Sequence, residues 1–394
     1  MQLDKGLFVE IKTNGKELVI PADWLSFSIN DSIHSIYNSF DSSILDRSGK
    51  ISEVLLTTPG NIFSIKFGKE YDMENIVEGS FVINDDKMAS PDEGSKVYGG
   101  KVDLFGYHEW FNLQQESSAS FKTKASSVAN TLTNSYPWKG KNITSTQETK
   151  AWFQGLRTPA RFIQEIVTPK SFSNSLTPFF AFINNKNEFN FLDYSTMFTG
   201  SAKNFYYSPG ASENLDPSTL IHGISRWSES LKKAKMTKKK MSYRITDSGE
   251  LEKLELNSND FYKKPPSDIY LVSNQEGRGP TNHITTVYGR AGESISDMSY
   301  NEVNEMRESF FRERFIILLS FDPSLVAGKT INIYLYLPTD TNDSYSVRFS
   351  GKYLVEASSH IWSGETKSAM TKLVISRKYN SSIPDDFQLK RIFK

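Results

Sequence analysis

Apolar and polar residues alternate with a period of two over much of this chain. The clearest stretch is 330–337, where Ile331, Ile333, Leu335 and Leu337 fall on one side and Asn332, Tyr334 and Tyr336 on the other. Successive side chains of a strand point to opposite faces, so this pattern predicts a half-buried β-strand. The same period returns in 350–379. Tyr353, Val355 and Ala357 alternate there with Leu354, Glu356 and Ser358, and Thr371, Leu373 and Ile375 alternate with Lys372, Val374 and Ser376. Ser363-Gly364-Glu365-Thr366 supplies the small polar turn of a hairpin between them. Near the start, 7–20 reads as another hairpin around Thr13-Asn14-Gly15-Lys16, because Asn-Gly suits a turn whose two central residues need positive φ. A strand over 24–29 follows, with Leu25, Phe27 and Ile29 on one face, and further short strands are predicted at 62–67, 76–83 and 96–106. Short strands separated by turn residues, without long helices between them, point to a small sandwich or barrel.

The period changes after about Asn112. Residues 125–132 suit a short helix, and Thr158-Pro159 opens another: Thr158 caps it, Pro159 takes the first turn, and Phe162, Ile163, Ile166 and Val167 form its apolar stripe before Pro169. Strands at 179–183 and 188–194 then flank the turn Asn184-Asn185-Lys186-Asn187. This segment reads as a compact α+β unit. Beyond it, 254–256, 269–272 and 283–287 are short strand candidates. The strongest helical pattern covers 298–315, with Val303, Met306 and Phe310 on one face, and the apolar run 314–321 comes next. The expected fold class is α+β, mainly β. It comprises two similar small antiparallel β-barrel domains, at 1–112 and at 204–240 with 299–380. The smaller inserted domains are 113–203 and 241–298, and 381–394 is a C-terminal tail.

An internal echo supports the idea of two related β domains. Gly100-Lys101-Val102 begins a stretch that ends in His108-Glu109-Trp110, and Gly351-Lys352-Tyr353 begins one that ends in His360-Ile361-Trp362. The simplest reading of both histidines is a strand-end residue packed beside a Trp.

Composition narrows the chemistry. The 394 residues carry 46 Lys+Arg and 46 Asp+Glu, so no net charge draws the chain toward nucleic acid or an acidic membrane. Local patches remain, notably 231–240 with six lysines, read first as a solvated connection between domains. The absence of Cys removes disulfides, thiolate nucleophiles and Cys-ligated metals. The opening residues lack a signal-peptide pattern and the longest apolar run, 315–319, is far too short for a membrane span. A soluble product made in the cytosol, with no membrane insertion, is expected.

Candidate chemical motifs dissolve on inspection. His108-Glu109-Trp110-Phe111-Asn112 has Asn where a zincin needs its second His, and lies at a strand end rather than on a helix. Gly328-Lys329-Thr330 resembles the end of a phosphate loop, but Pro323 stands at the first glycine position and a strand follows. Gly277-Arg278-Gly279 has Asn282 in place of the third glycine. Asp340 with Asp343, and Glu308 with Glu313, are read as wet-surface carboxylates, the latter pair on a helix. No catalytic, cofactor-binding or metal residue is assigned, and the chain is not expected to be an enzyme.

Taken in order, residues 35–42 (SIYNSFDS), 98–101 (YGGK), 188–194 (EFNFLDY), 289–300 and 325–331 give the chain a resemblance to the central baseplate hub protein of contractile phage tails, of the T-even type. That family includes Mu-type tail hubs and the hub portion of type VI secretion spike proteins. Residues 35–42 (SIYNSFDS) resemble the polar loop between early strands of its first tube-like domain, and Tyr98-Gly99-Gly100-Lys101 its late strand. Residues 188–194 (EFNFLDY) resemble the hairpin ending the first inserted domain, and 289–300 with the helix after it the return into the second tube-like domain. Residues 325–331 and the last hairpin resemble its closing strands. The resemblance spans nearly the whole chain, except the lysine run and the tail after Ser381. It implies a homotrimer whose six β domains form a pseudo-sixfold ring, joining a sixfold tail tube to a threefold central spike. It also implies tail tube and other baseplate proteins as partners, DNA or a tape-measure protein passing through the channel, and residence in the virion baseplate after assembly in the host cytoplasm. A tail-associated cell-wall hydrolase or carbohydrate-binding module is the alternative from another class.

Overall fold

The computed structural model describes residues 7–13, 16–17, 24–46, 62–69, 72, 75–88, 100–147, 149–171, 177–208, 216–226, 239–245, 251–257, 283–286, 311, 313–335 and 349–377. The chain is mainly β, as the alternation requires. Strands β1 (Leu7–Thr13), β2 (Lys16–Glu17), β3 (Trp24–Ser32), β4 (Ser39–Asp46), β5 (Ile62–Lys69), β6 (Val77–Met88) and β7 (Gly100–His108) build the first unit. Thr13 pairs with Lys16 across Asn14-Gly15, the expected two-residue hairpin, although β1 pairs along its whole length with β5. The sheet order β3-β4-β7-β6-β5-β1 curls on itself, because Phe27 of β3 meets Phe67 of β5 edge-on with ring centroids 5.2 Å apart.

The middle unit contains β8 (Ser120–Lys124), α1 (Ala125–Thr133), β9 (Gly140–Ile143), β10 (Thr149–Phe153), α2 (Pro159–Phe162), β11 (Phe179–Ile183), β12 (Glu188–Asp193) and α3 (Tyr194–Thr199). The Thr158 hydroxyl accepts from the Arg161 N–H and Pro159 sits in the first turn, as predicted. The helix then widens into a π-turn over Ile163–Val167. Tyr194 does not extend β12: the Asp193 carboxylate accepts from the Thr196 N–H and starts α3 there.

The last unit holds β13 (Ala202–Tyr207), β14 (Ile221–Arg226), β15 (Lys239–Ile245), β16 (Leu251–Asn257), β17 (His283–Thr286), β18 (Glu313–Ser320), β19 (Thr330–Leu335), β20 (Gly351–Ser363) and β21 (Ser368–Arg377). Strands β15, β16 and β17 form a separate small sheet. The others follow the order β14-β18-β21-β20-β19-β13, and a bridge between Tyr206 and Leu220 brings β13 back beside β14, closing a six-stranded barrel. Its interior is filled by Phe205, Phe315, Ile317, Leu319, Ile331, Ile333, Tyr353, Leu373 and Ile375.

The two β units share one sheet. Strand β20 pairs through its first residues with β19 and from Ala357 to Ser363 with β3, which makes a continuous 13-stranded sheet. Trp362 stacks on Phe27 at 5.5 Å, and Phe321, Trp362 and Ala369 complete the core of the first unit. A further cluster, including Phe180, Phe182, Tyr194, Met197, Ala327 and Leu354, joins the middle unit to the barrel.

Several expectations change. Strand β4 begins at Ser39, inside the segment expected to be a loop. Leu25 is 42% exposed, because a bulge between Trp24 and Ser26 takes it off the face of Phe27 and Ile29. Residues 313–315, expected at the end of a helix, open β18, because Phe315, Ile317 and Leu319 alternate into the barrel. Glu313 is consequently a buried strand residue, bonded to Arg377 at 2.5 Å, not a wet helix position. Residues 298–310 and 312 of the expected helix, the strand at 269–272, Gly277-Arg278-Gly279, Asp340 and Asp343, residues 231–238 and the tail 381–394 lie outside the described residues.

Candidate functional site: a two-faced sheet and a buried junction

At its centre, the sheet has two unlike faces. Paired positions across β21, β20, β3, β4 and β7 form rungs: Ser368, Ser363, Ser26, Ser43 and Asp103; then Met370, Ile361, Ser28, Asp41 and Phe105; then Lys372, Ser359, Asn30, Ser39 and Tyr107. None of these fifteen positions is buried. The intervening rungs, such as Ala369, Trp362, Phe27, Ser42 and Leu104, are buried throughout. One face is therefore a core wall, and the other a part-exposed surface of mostly small hydroxyl, amide and carboxylate groups, with Ile361, Met370, Phe105, Tyr107 and Lys372 among them. Asn30 Nδ2 donates to Asp41 Oδ2 at 2.7 Å, and Ser43 donates to Asp103.

Behind this surface lies a buried polar junction. The turn between β11 and β12 is tied by its own Asn184, whose Oδ1 accepts from the N–H groups of Lys186 and Glu188, while Asn187 takes φ 56°. Turns of this kind ordinarily face water, but Asn184 and Asn185 are buried. Asp31, at the end of β3, receives them. Its Oδ2 accepts from the Asn185 N–H at 2.8 Å. Its Oδ1 accepts from the Ala327 N–H at 3.2 Å, the Ser358 N–H at 3.2 Å and the Ser358 hydroxyl at 2.7 Å. Burial outweighs these four bonds and pushes the Asp31 carboxyl up to about 6. The Asn185 carbonyl accepts from the Glu78 N–H at 3.0 Å, so β6 reaches the same turn.

Two histidines and an ion-pair cluster border the junction. His108 Nδ1 accepts from the Trp110 N–H at 3.2 Å, leaving Nε2–H to donate to Asn187 Oδ1 at 3.0 Å. His360 Nδ1 lies 3.2 Å from the Thr371 hydroxyl. Burial lowers both imidazoles to about 4, so each is neutral at pH 7. Glu356, buried at the bulge of β20, takes Arg314 Nε at 2.8 Å, Arg314 Nη2 at 3.0 Å and His34 Nε2 at 2.7 Å. Burial pushes its carboxyl up, but His34 and Arg314 outweigh that and leave it below the usual range.

The motif residues fall in plain structural settings. Glu109–Phe111 form one 3₁₀ turn after β7, and Gly328 at φ 83° begins the turn into β19. The echoed endings have different surroundings: Trp110, in the turn just after β7, packs in the middle unit and Trp362, on β20, in the first-unit core, β7 and β20 being the strands that flank the β3–β4 hairpin. Ser358, His360 and Asp31 meet, but the carboxylate bonds the serine and all three are buried. Sequence reasoning missed Asp31 and Asn185. The available signal was three Asn in a four-residue turn that needs fewer.

No family model matches the sequence, and no curated protein matches it. The fold does match solved structures. It superposes on the tail protein from Neisseria meningitidis MC58 with a TM-score of 0.55 at 11% identity, over 94% of this chain and 96% of that one. It superposes on the 43 kDa tail protein of prophage MuSo2 from Shewanella oneidensis with a TM-score of 0.56 at 8% identity, over the same shares. The chain therefore has a phage tail protein fold along nearly its whole length, in line with the resemblance to Mu-type tail hubs.

Proposed function

We propose that this chain is a structural hub of a phage tail baseplate, acting through interfaces rather than catalysis. The likeness to two tail proteins over 94% of the chain carries this reading. In it, three copies form a ring whose two β units per chain give a pseudo-sixfold arrangement, matched to a sixfold tube on one side and a threefold spike on the other. Two β units fused through β3 and β20 supply a rigid building block for such a ring. The open polar face suits the wall of a water-filled channel through which DNA or a tape-measure protein passes. The small Ser, Asn and Asp side chains there leave room for a polymer, beside the larger Ile361, Met370, Phe105 and Tyr107. The virion baseplate is the proposed location, with assembly in the host cytoplasm. No cofactor is invoked.

Light scattering on the purified full chain, with negative-stain images of the same peak, tests the reading. A mass of three chains with a central hole is the expected result. A monomer at high concentration that cleaves peptidoglycan would overturn it in favour of a wall-acting enzyme.

A further inference from the structure

The three units meet at several places, and two side chains bridge all of them: Asp31, and Asn185, whose Nδ2 donates to the Ile29 carbonyl at 3.3 Å and the Ser358 hydroxyl at 3.4 Å. Among the described residues, Asp31 of β3 is the group whose hydrogen bonds reach the middle unit at Asn185, the β18–β19 connection at Ala327 and strand β20 at Ser358. All four bonds run toward the carboxylate, and three come from backbone N–H groups. The partners are far apart in the chain: Asp31 is 154 positions from Asn185, 296 from Ala327 and 327 from Ser358. A buried donor that loses its acceptor pays the desolvation of that donor. The three segments therefore cannot leave Asp31 without cost, and the first to leave weakens the acceptor geometry of the others.

We infer that Asp31 is a conformational latch that makes the Asn184–Asn187 turn, the loop carrying Ala327 and the middle of β20 open and close as one unit. Other contacts hold the turn as well, namely Ile183 N–H to the Ile36 carbonyl at 3.0 Å, Glu78 N–H to Asn185, and His108 to Asn187. These tie the middle unit to the first β unit only. The link to the barrel passes through Asp31, through Asn185 Nδ2 donating to the Ser358 hydroxyl at 3.4 Å, through the Gly200 carbonyl accepting from Thr330 and Lys352, and through the apolar contacts around Phe182 and Ala327. At Ser358 a displacement of β20 therefore reaches the turn through the Asp31 carboxylate and the Asn185 amide together.

Hydrogen exchange followed by mass spectrometry on the full chain tests it. In the unmodified protein at rising sub-denaturing urea, peptides covering 183–188, 325–329 and 356–360 are expected to lose protection at one urea concentration. That loss should precede loss in the core segments 63–67 and 315–319. Separate concentrations, or loss only with the cores, would overturn the latch. Asp31→Asn replaces one acceptor oxygen by a donor and should speed exchange at least tenfold in all three segments. Asp41→Asn, on the open face, should leave them unchanged. Acceleration confined to 356–360 would also overturn the inference. Should Asp31→Asn not fold, the urea series on the unmodified chain decides.

Discussion

His108 and His360 are fully buried imidazoles whose pKa burial lowers to about 4. An unfolded chain takes up these protons near pH 6.5, so the fold loses stability as pH falls from there toward 4. By pH 4.5 each histidine contributes a loss of about 3 kcal/mol at 1.36 kcal/mol per pKa unit. Asp31 acts oppositely. Its folded value of about 6 lies above the unfolded one, so the fold gains as pH falls below 6, by about 2 kcal/mol at pH 4.5. Glu356, held low, adds to the acid loss once the pH falls through its folded value. The histidines outweigh Asp31, so urea midpoints should fall between pH 7 and pH 4.5. His108→Gln and His360→Gln should each flatten that slope, and an unchanged slope in both would exclude these residues as its source. Arg314→Ala should cost about 3 kcal/mol by leaving Glu356 buried without its bidentate partner. The double change Arg314→Leu with Glu356→Leu should recover much of that loss in the same titration.

At the scale of elements, legibility followed the alternation of side chains. Strands β19 and β21 were readable because Ile331, Ile333, Leu373 and Ile375 face a fully apolar core. Strand β4 was not, because SFDSSILD places Ser39, Asp41 and Ser43 on the open face and even Ser42 on the buried one, which leaves only Phe40 and Ile44 as signal. The surface best suited to function was thus the one that hid its own strand. The start of β18 was missed because Phe310 and Phe315 fit either period when read locally, and only pairing with β21 selects the strand. The junction could not be read at all, since Asp31 and Asn185 acquire meaning only when distant segments meet. Strand pairing also explains Gly106, where an added Cβ would lie 2.7 Å from the Val82 carbonyl oxygen, a backbone atom that cannot rotate away. Gly106→Ala should separate β6 from β7 and destabilise the chain by about 1–3 kcal/mol in urea unfolding.

Across the whole molecule, the first β unit borrows part of its core from the last. Trp362→Ala removes the ring stacked on Phe27 and should cost about 3–5 kcal/mol. It should also split a single calorimetric transition into two as the units lose their shared wall. One cooperative transition in the variant would place the coupling elsewhere, with the apolar cluster around Phe182 and Leu354 as the next place to look.

The pairing of β3 with β20 also bears on how the chain comes off the ribosome. Asp31 waits for a partner 327 positions later. At translation speeds of about 5–20 residues per second that delay is roughly 15–65 s. During it, β3 keeps one edge unpaired and Phe27 lacks its stacking partner Trp362, the kind of surface that invites pairing with another nascent chain. Neighbouring ribosomes on one message present the same edge at the same time. A chaperone that shields β3 until the final hairpin emerges would raise the yield of correctly closed chains, and ribosomes stalled before codon 351 should accumulate aggregates seeded by that strand.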